Sequence, residues 1–219
     1  MGSTNSRNSS VLVLRGAGGE AFVAGTDISQ FSAFATAEDG LAYERDGERC
    51  SDRLERVGKP VIGQIQGYAA GGGFGIAAAC DLRVTTPDAR FGVPIARTLG
   101  NCLSMEAYSR FVDLFGPSRL KALLFTARLL SAEEAHGAGF VHEIVPAAEI
   151  ETRVRALAEQ IAEHAPITLR VSKEAIRCVQ ERRRLTGGED LIAETYASAD
   201  FHEGVRAFLE KREPRWTGR

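Results

Sequence analysis

Three consecutive glycines, Gly71, Gly72 and Gly73, sit between the apolar run Val61-Ile62-Gly63-Gln64-Ile65 and a second run, Leu82-Arg83-Val84-Thr85. No other feature constrains the fold as strongly. Backbone without Cβ atoms can adopt conformations closed to other residues and can lie directly against a ligand. The segment Ile76-Ala77-Ala78-Ala79 that follows favours a helix starting just beyond the glycines. Free N–H groups at a helix N-terminus, aided by the helix dipole, stabilise negative charge, whether on a phosphate or on an oxyanion formed during reaction.

The remaining composition narrows the setting for such a site. With 219 residues, 44% of them hydrophobic and 26% charged, the chain fits one globular domain with a substantial core. Its 27 basic and 29 acidic residues nearly cancel, which argues against nucleic acid or a membrane surface as a general partner and favours small-molecule chemistry. Cys50, Cys80, Cys102 and Cys178 show no paired spacing, and no signal-peptide pattern opens the sequence. A reducing, cytoplasmic setting is expected. Every apolar run is interrupted well short of the ~20 residues needed to span a bilayer.

Residues 1–10 are polar and read as a disordered leader. Strands are expected over residues 11–14, 61–65 and 82–85, with a charged helix over 38–57 between the first two. Beyond Pro94 the pattern turns helical. Helices are expected over 104–114 and 117–125, separated by Gly116, and another opens at the Ser131-Ala132-Glu133-Glu134 capping box. Residues 140–145 alternate as a short strand, and three helices follow over approximately 148–164, 167–183 and 194–211.

A second glycine-bearing turn, Ala24-Gly25-Thr26-Asp27-Ile28, follows the first strand. A right-handed crossover between parallel strands would set the ends of the first and second strands side by side. The Thr26 and Gly72 amides would then converge. Two backbone donors aimed at one carbonyl oxygen form an oxyanion hole, and losing one such donor costs roughly 3 kcal/mol of transition-state stabilisation.

At these residues the chain resembles the crotonase superfamily, also called the enoyl-CoA hydratase/isomerase family. The resemblance rests on Ala21-Phe22-Val23-Ala24-Gly25-Thr26-Asp27-Ile28, on Gly67-Tyr68-Ala69-Ala70-Gly71-Gly72-Gly73 with Cys80-Asp81-Leu82, and on Ala89-Arg90-Phe91-Gly92-Val93-Pro94. It implies an α/β fold: a crotonase-like spiral of ββα units over 11–146. A helical C-terminal region over 147–219 would serve trimerisation and cover CoA. It also implies an acyl-CoA thioester as substrate, coenzyme A as part of that substrate with no separate cofactor, and assembly as a homotrimer or hexamer. By motif position the oxyanion amides fall on Thr26 and Gly72. Substrate contacts fall on Phe22, Ala24, Asp27, Ile28, Tyr68, Gly71, Pro94, Ile95 and Leu99, with Arg97 and Lys211 as further contacts, Lys211 toward the CoA phosphates.

The sequence departs from the hydratases of that family at two positions. Gly75 and Ile95 stand where the resemblance implies two catalytic glutamates. Hydration needs one group to take a proton from water and another to deliver a proton to carbon, and neither residue can do so. A positioned acid or base contributes ~10²- to 10⁴-fold, so simple hydration is not expected. Substitutes are sought in the segment 97–106, where Arg97 suits a substrate carboxylate, Cys102 a thiolate and Glu106 a base. Each also has a plain structural reading, as surface cation, buried thiol and helix-start acid.

The other candidates are read more plainly. Asp27 suits a turn or cap. His136 and His142 lack the spacing of helical metal ligands, and no metal is expected. Arg182-Arg183-Arg184 reads as a solvated helix end, with cations that could also meet the CoA phosphates as the alternative. The N-terminal strands usual in the family are replaced by ten polar residues, so the first strand is expected to form an unpaired edge. The leading reading is thus an acyl-CoA-processing lyase or isomerase of the enoyl-CoA hydratase/isomerase type working through a thioester enolate. Isomerisation, decarboxylation and thioester hydrolysis are alternatives to hydration. A CoA-binding protein that has lost catalysis is a second reading. A dinucleotide-binding oxidoreductase is a third, from Gly16-Ala17-Gly18-Gly19-Glu20-Ala21 after a strand.

Overall fold

The computed structural model describes residues 10–219. The leader expected over the first residues lies, but for Ser10, outside the described residues. The chain alternates between two four-stranded sheets. Strand β1 (Leu12–Arg15) is followed by β2 (Ala21–Val23), a 3-10 turn (Ile28–Ala33) and helix α1 (Ala37–Glu55). Next come β3 (Val61–Ile65), β4 (Tyr68–Ala70) and α2 (Gly72–Ala79), then β5 (Leu82–Thr85), β6 (Arg90–Gly92) and α3 (Ile95–Thr98). Three successive ββα units result. The first strands of the units join one parallel sheet in the order β1-β3-β5, closed by β8 (Glu143–Ile144). The second strands join another in the order β2-β4-β6, closed by the antiparallel β7 (Leu130–Ser131). This is the crotonase-like α/β spiral that the resemblance implies. Among the described residues β1 pairs with β3 alone, and Leu12 and Val13 are partly exposed.

The first sheet was legible because its central strand is buried on both faces. All five residues of β3 are buried, so they form a continuous apolar run rather than an alternating one. The second sheet was not anticipated as a sheet. Its strands are two or three residues long and run through alanine and glycine, so they carry no period-2 signal.

The helical half differs from expectation in two places. Helix α4 (Met105–Thr126) runs through Gly116, whose φ of 71° and ψ of 158° break it into the two pieces expected from sequence. After it, α5 (Ala132–Gly137) opens on the Ser131–Glu134 capping box. The strand expected over 140–145 shrinks to β8, because Phe140 turns fully into the core. Helices α6 (Ile150–Ala162) and α7 (Pro166–Glu181) follow as expected. The single helix expected over 194–211 is instead two, α8 (Glu189–Ala197) and α9 (Ala199–Leu209). Ser198 divides them: its backbone is extended, and its hydroxyl caps α9 by accepting from the Phe201 N–H at 3.0 Å.

The main core lies between the sheets, α2 and α4. Phe74 stacks on Phe111 at 4.6 Å between centroids, and Phe140 packs edge-on against Phe74 and Phe91. A second cluster joins Phe31, Leu99, Ile192, Tyr196, Phe201 and Val205, so α8 and α9 fold back over the 3-10 turn and α1 of their own chain. A third, with Ile62, Val84, Ile150 and Val154, seats α6 against the first sheet.

Candidate active site

The three glycines have three different reasons to be glycine. Gly71 is the N-cap of α2 with φ 55° and ψ −125°, a conformation that disfavours a side chain. Its N–H donates to the Gly92 carbonyl at 3.0 Å, and its carbonyl accepts from the Phe74 N–H at 3.0 Å. Gly73 is buried, and a Cβ there would overlap the Val23 carbonyl oxygen, so its absence lets α2 lie against β2. Gly72 alone is exposed, with nothing within 4 Å of where its Cβ would be. As the first residue of α2 its N–H has no acceptor within the helix.

The second turn meets this one. Gly25, at φ 114°, has its Cα 3.9 Å from the Cβ position of Gly71. The following residue, Thr26, gives its backbone N–H to no main-chain acceptor among the described residues. Two loops from successive ββα units therefore abut, each carrying an amide donor free for an external oxygen. The parallel pairing of β1 with β3 and of β2 with β4 produces this juxtaposition. Asp27 is a cap: Oδ1 accepts from the Ser29 N–H at 3.0 Å and the Ser29 hydroxyl at 2.8 Å, which holds its carboxyl below the usual range.

Neither of the two positions where the resemblance implies a glutamate carries a proton-transfer group. Gly75 offers no side chain, and the space where a Cβ would stand is open except for Ser51 Oγ at 4.0 Å. Ile95 begins α3 after the N-cap Pro94 and packs partly buried against the main core. Among the expected contacts, Phe22 and Leu99 give their side chains to the core. Ile28 packs against the second cluster, Ala24 is exposed, and Tyr68 is 53% exposed rather than packed. Arg97 and Lys211 are exposed on α3 and just past α9.

The substitutes sought in 97–106 fare unevenly. Burial pushes the Cys102 thiol up to about 11, so it stays protonated rather than serving as a thiolate. Glu106 lies in the first turn of α4, where the helix dipole favours it. The basic run past α7 is not wholly solvated: Arg184 is half-buried and donates to both Glu55 oxygens, at 2.6 and 2.8 Å. His142 Nδ1 accepts from the Arg83 N–H, and His136 pairs with the Val141 carbonyl. Among the described residues no group of three or more His, Cys, Asp or Glu is placed to hold a metal ion. The Gly16–Gly19 loop leads into β2 and not into a helix, which removes the basis for a dinucleotide fingerprint.

A polar cluster beside the site escaped the sequence reading, because its members come from α1, α8 and the turn before α4. The Tyr43 hydroxyl lies 2.6 Å from Thr26 Oγ1. The next residue, Glu44, accepts from the Tyr196 hydroxyl at 2.6 Å and from the Ser104 N–H at 3.1 Å. Burial pushes its carboxyl up to about 7, with Glu48 adding to the shift while the two hydrogen bonds oppose it. Asn101 Nδ2 donates to the Tyr196 oxygen at 3.2 Å.

A ββα spiral with two free amides at abutting loops defines an α/β protein of the crotonase-like class. The enoyl-CoA hydratase/isomerase family matches residues 3–219, and the chain belongs to that family. It is 34% identical over 204 residues to a short-chain-enoyl-CoA hydratase of Clostridium acetobutylicum, covering 92% of this chain and 77% of that one. Among solved structures it is similar to a methylmalonyl-CoA decarboxylase in complex with 2-nitronate-propionyl-CoA. The TM-score there is 0.86 at 28% identity, over 95% of this chain and 82% of that one. It is also similar to an enoyl-CoA hydratase/carnithine racemase from Magnetospirillum magneticum, with TM-score 0.75 at 31% identity over 95% and 79% of the two chains.

Proposed function

We propose that the chain binds an acyl-CoA thioester with its carbonyl oxygen between the Thr26 and Gly72 N–H groups, and that these donors stabilise an enolate. The observation that carries this reading is the close approach of the Gly25 and Gly71 turns, each followed by an amide with no main-chain acceptor among the described residues. Donors fixed in place by glycine turns and a helix start need no reorganisation as charge develops on the oxygen. Gly71, Ala24, Asp27, Ile28 and Tyr68 lie beside these two turns in sequence, Pro94 and Ile95 follow Gly92, whose carbonyl accepts from the Gly71 N–H, and all seven are proposed substrate contacts. Phe22 and Leu99 would act through their backbones, and Arg97 and Lys211 toward charged parts of the ligand. Assembly into a trimer or hexamer belongs to the same reading, supported by the exposed apolar side chains Ile167, Val171, Ile176 and Val179 on α7.

Among enolate reactions, the reading favours loss of CO₂ from a malonyl-type thioester. In that step the bond from the α carbon to the carboxylate breaks and its electron pair becomes the enolate, so no base is required. Glycine and isoleucine at positions 75 and 95 are compatible with it and not with paired acid–base hydration. The 0.86 TM-score to the decarboxylase, against 0.75 to the hydratase/racemase, supports the same choice. Purified protein incubated with malonyl-CoA, methylmalonyl-CoA, crotonyl-CoA and a 3-enoyl-CoA, each followed by mass spectrometry, tests it. Faster turnover of the malonyl-type thioesters is expected, and turnover of none would refute the reading. CoA binding without turnover would instead support the non-catalytic alternative.

A further inference from the structure

An enolate, however formed, must be quenched by a proton at carbon, and the two positions where the resemblance implies proton-transfer glutamates hold Gly75 and Ile95. The protonatable groups around the Thr26 turn are few. Asp27 is engaged by Ser29 and held ionised. Glu44 engages its two oxygens with Tyr196 and Ser104. Cys102 belongs to the second cluster with Leu99 and Phe31. Tyr43 is different: its hydroxyl is 2.6 Å from the hydroxyl of Thr26, the residue whose N–H is assigned to the oxyanion.

Resting on the enolate reading above, we propose that the Tyr43 hydroxyl is the proton source for the enolate, passing its proton through the Thr26 hydroxyl. The Thr26 O–H bond breaks as the new C–H bond forms at the α carbon, and Thr26 is reprotonated by Tyr43. The phenolate left behind takes a proton from water, releasing hydroxide, which combines with the departing CO₂ as bicarbonate. Atoms and charge then balance without any further reactant. Two features suit the phenol to this task. Its ring is fixed by Phe31, edge-on at 4.8 Å, and by Phe34 and Tyr196 at 6.1 and 6.4 Å. Burial, with Glu44 adjacent, raises its pKa above the ordinary phenol value, so at neutral pH it is a donor and not a base.

Tyr43→Phe keeps the ring and its packing while deleting the hydroxyl, and Thr26→Val keeps the backbone N–H while deleting the relay. Each is expected to lower kcat for malonyl-type thioesters by roughly 100-fold. The affinity for an unreactive CoA thioether that keeps a ketone in place of the thioester carbonyl should stay unchanged, and the double variant should lose no more than either single one, since the two hydroxyls act as a unit. A role confined to packing would not produce this separation of kcat from binding. Wild-type kcat in Tyr43→Phe would overturn the assignment of the donor and leave the oxyanion reading standing. An unmutated protein that turns over no thioester would overturn both.

Discussion

The Tyr196 hydroxyl donates to Glu44 Oε1 at 2.6 Å, tying α8 to α1 through a carboxyl group that burial pushes up to about 7. The folded chain therefore keeps a proton on Glu44 that the unfolded chain releases near its ordinary 4.5. Between these values the folded state binds more protons, so stability falls as pH rises. Denaturation midpoints should drop between about pH 4.5 and 7 by the equivalent of on the order of 3 kcal/mol and then level off. Glu44→Gln should flatten that part of the profile, measured by urea unfolding at stepped pH.

Arg110 is 4% exposed and bridges Glu55 at 2.8 Å and Glu48 at 3.1 Å, joining α4 to α1. Burial alone would raise the Glu55 carboxyl, but Arg184 and Arg110 outweigh it and hold it low. Arg110→Leu leaves two acidic groups in the interior with a single remaining guanidinium, that of Arg184. A loss of about 3–5 kcal/mol is expected by denaturant titration. Arg110→Leu combined with Glu48→Gln and Glu55→Gln should recover part of it.

Gly73→Ala should destabilise the fold sharply, because its Cβ would enter the Val23 carbonyl and force α2 away from β2. The expected cost of such overpacking is about 1–3 kcal/mol, read as a lowered melting temperature. Gly75→Ala lies two residues along the same helix, where the Cβ finds open space. It should leave the melting temperature unchanged or raise it, given alanine's better helix propensity.

Reaction choice can be tested by restoring what is absent. Gly75→Glu together with Ile95→Glu supplies two carboxyls at the positions where the family resemblance implies them. Crotonyl-CoA hydration, followed by loss of the enoyl absorbance, should rise by at least ~10²-fold over the unmutated chain. Equal hydration by both proteins would mean that the chain already holds its own acid–base pair.

Much of this architecture is written locally in the sequence. The β3 run, the Gly71 turn, the Ser131 capping box and the break at Gly116 each arise from residues close together, and they are visible without the fold. The paired amide turns were legible for the same reason, since each is a glycine motif after a strand. The second sheet was hidden because three-residue strands gain their identity from neighbours 20 to 50 residues away. Tyr43, Glu44 and Tyr196 were hidden because burial, not residue type, sets their chemistry. One glutamate in a helix as charged as α1 gives no sign that it alone lies under Tyr196. The split at Ser198 was missed because alanines on both sides read as continuous helix, while the serine's capping bond ends it.

The account turns on the Gly72 N–H as an oxyanion donor, and Gly72→Pro removes that one atom with little else. Proline is accepted at the first position of a helix, and the Cβ position at Gly72 is open. Circular dichroism should therefore show the fold intact, and the measurement is kcat for malonyl-CoA loss of CO₂. The account predicts a fall of ~10²-fold or more, matching the roughly 3 kcal/mol that one such donor supplies. A folded Gly72→Pro protein with undiminished kcat would contradict it.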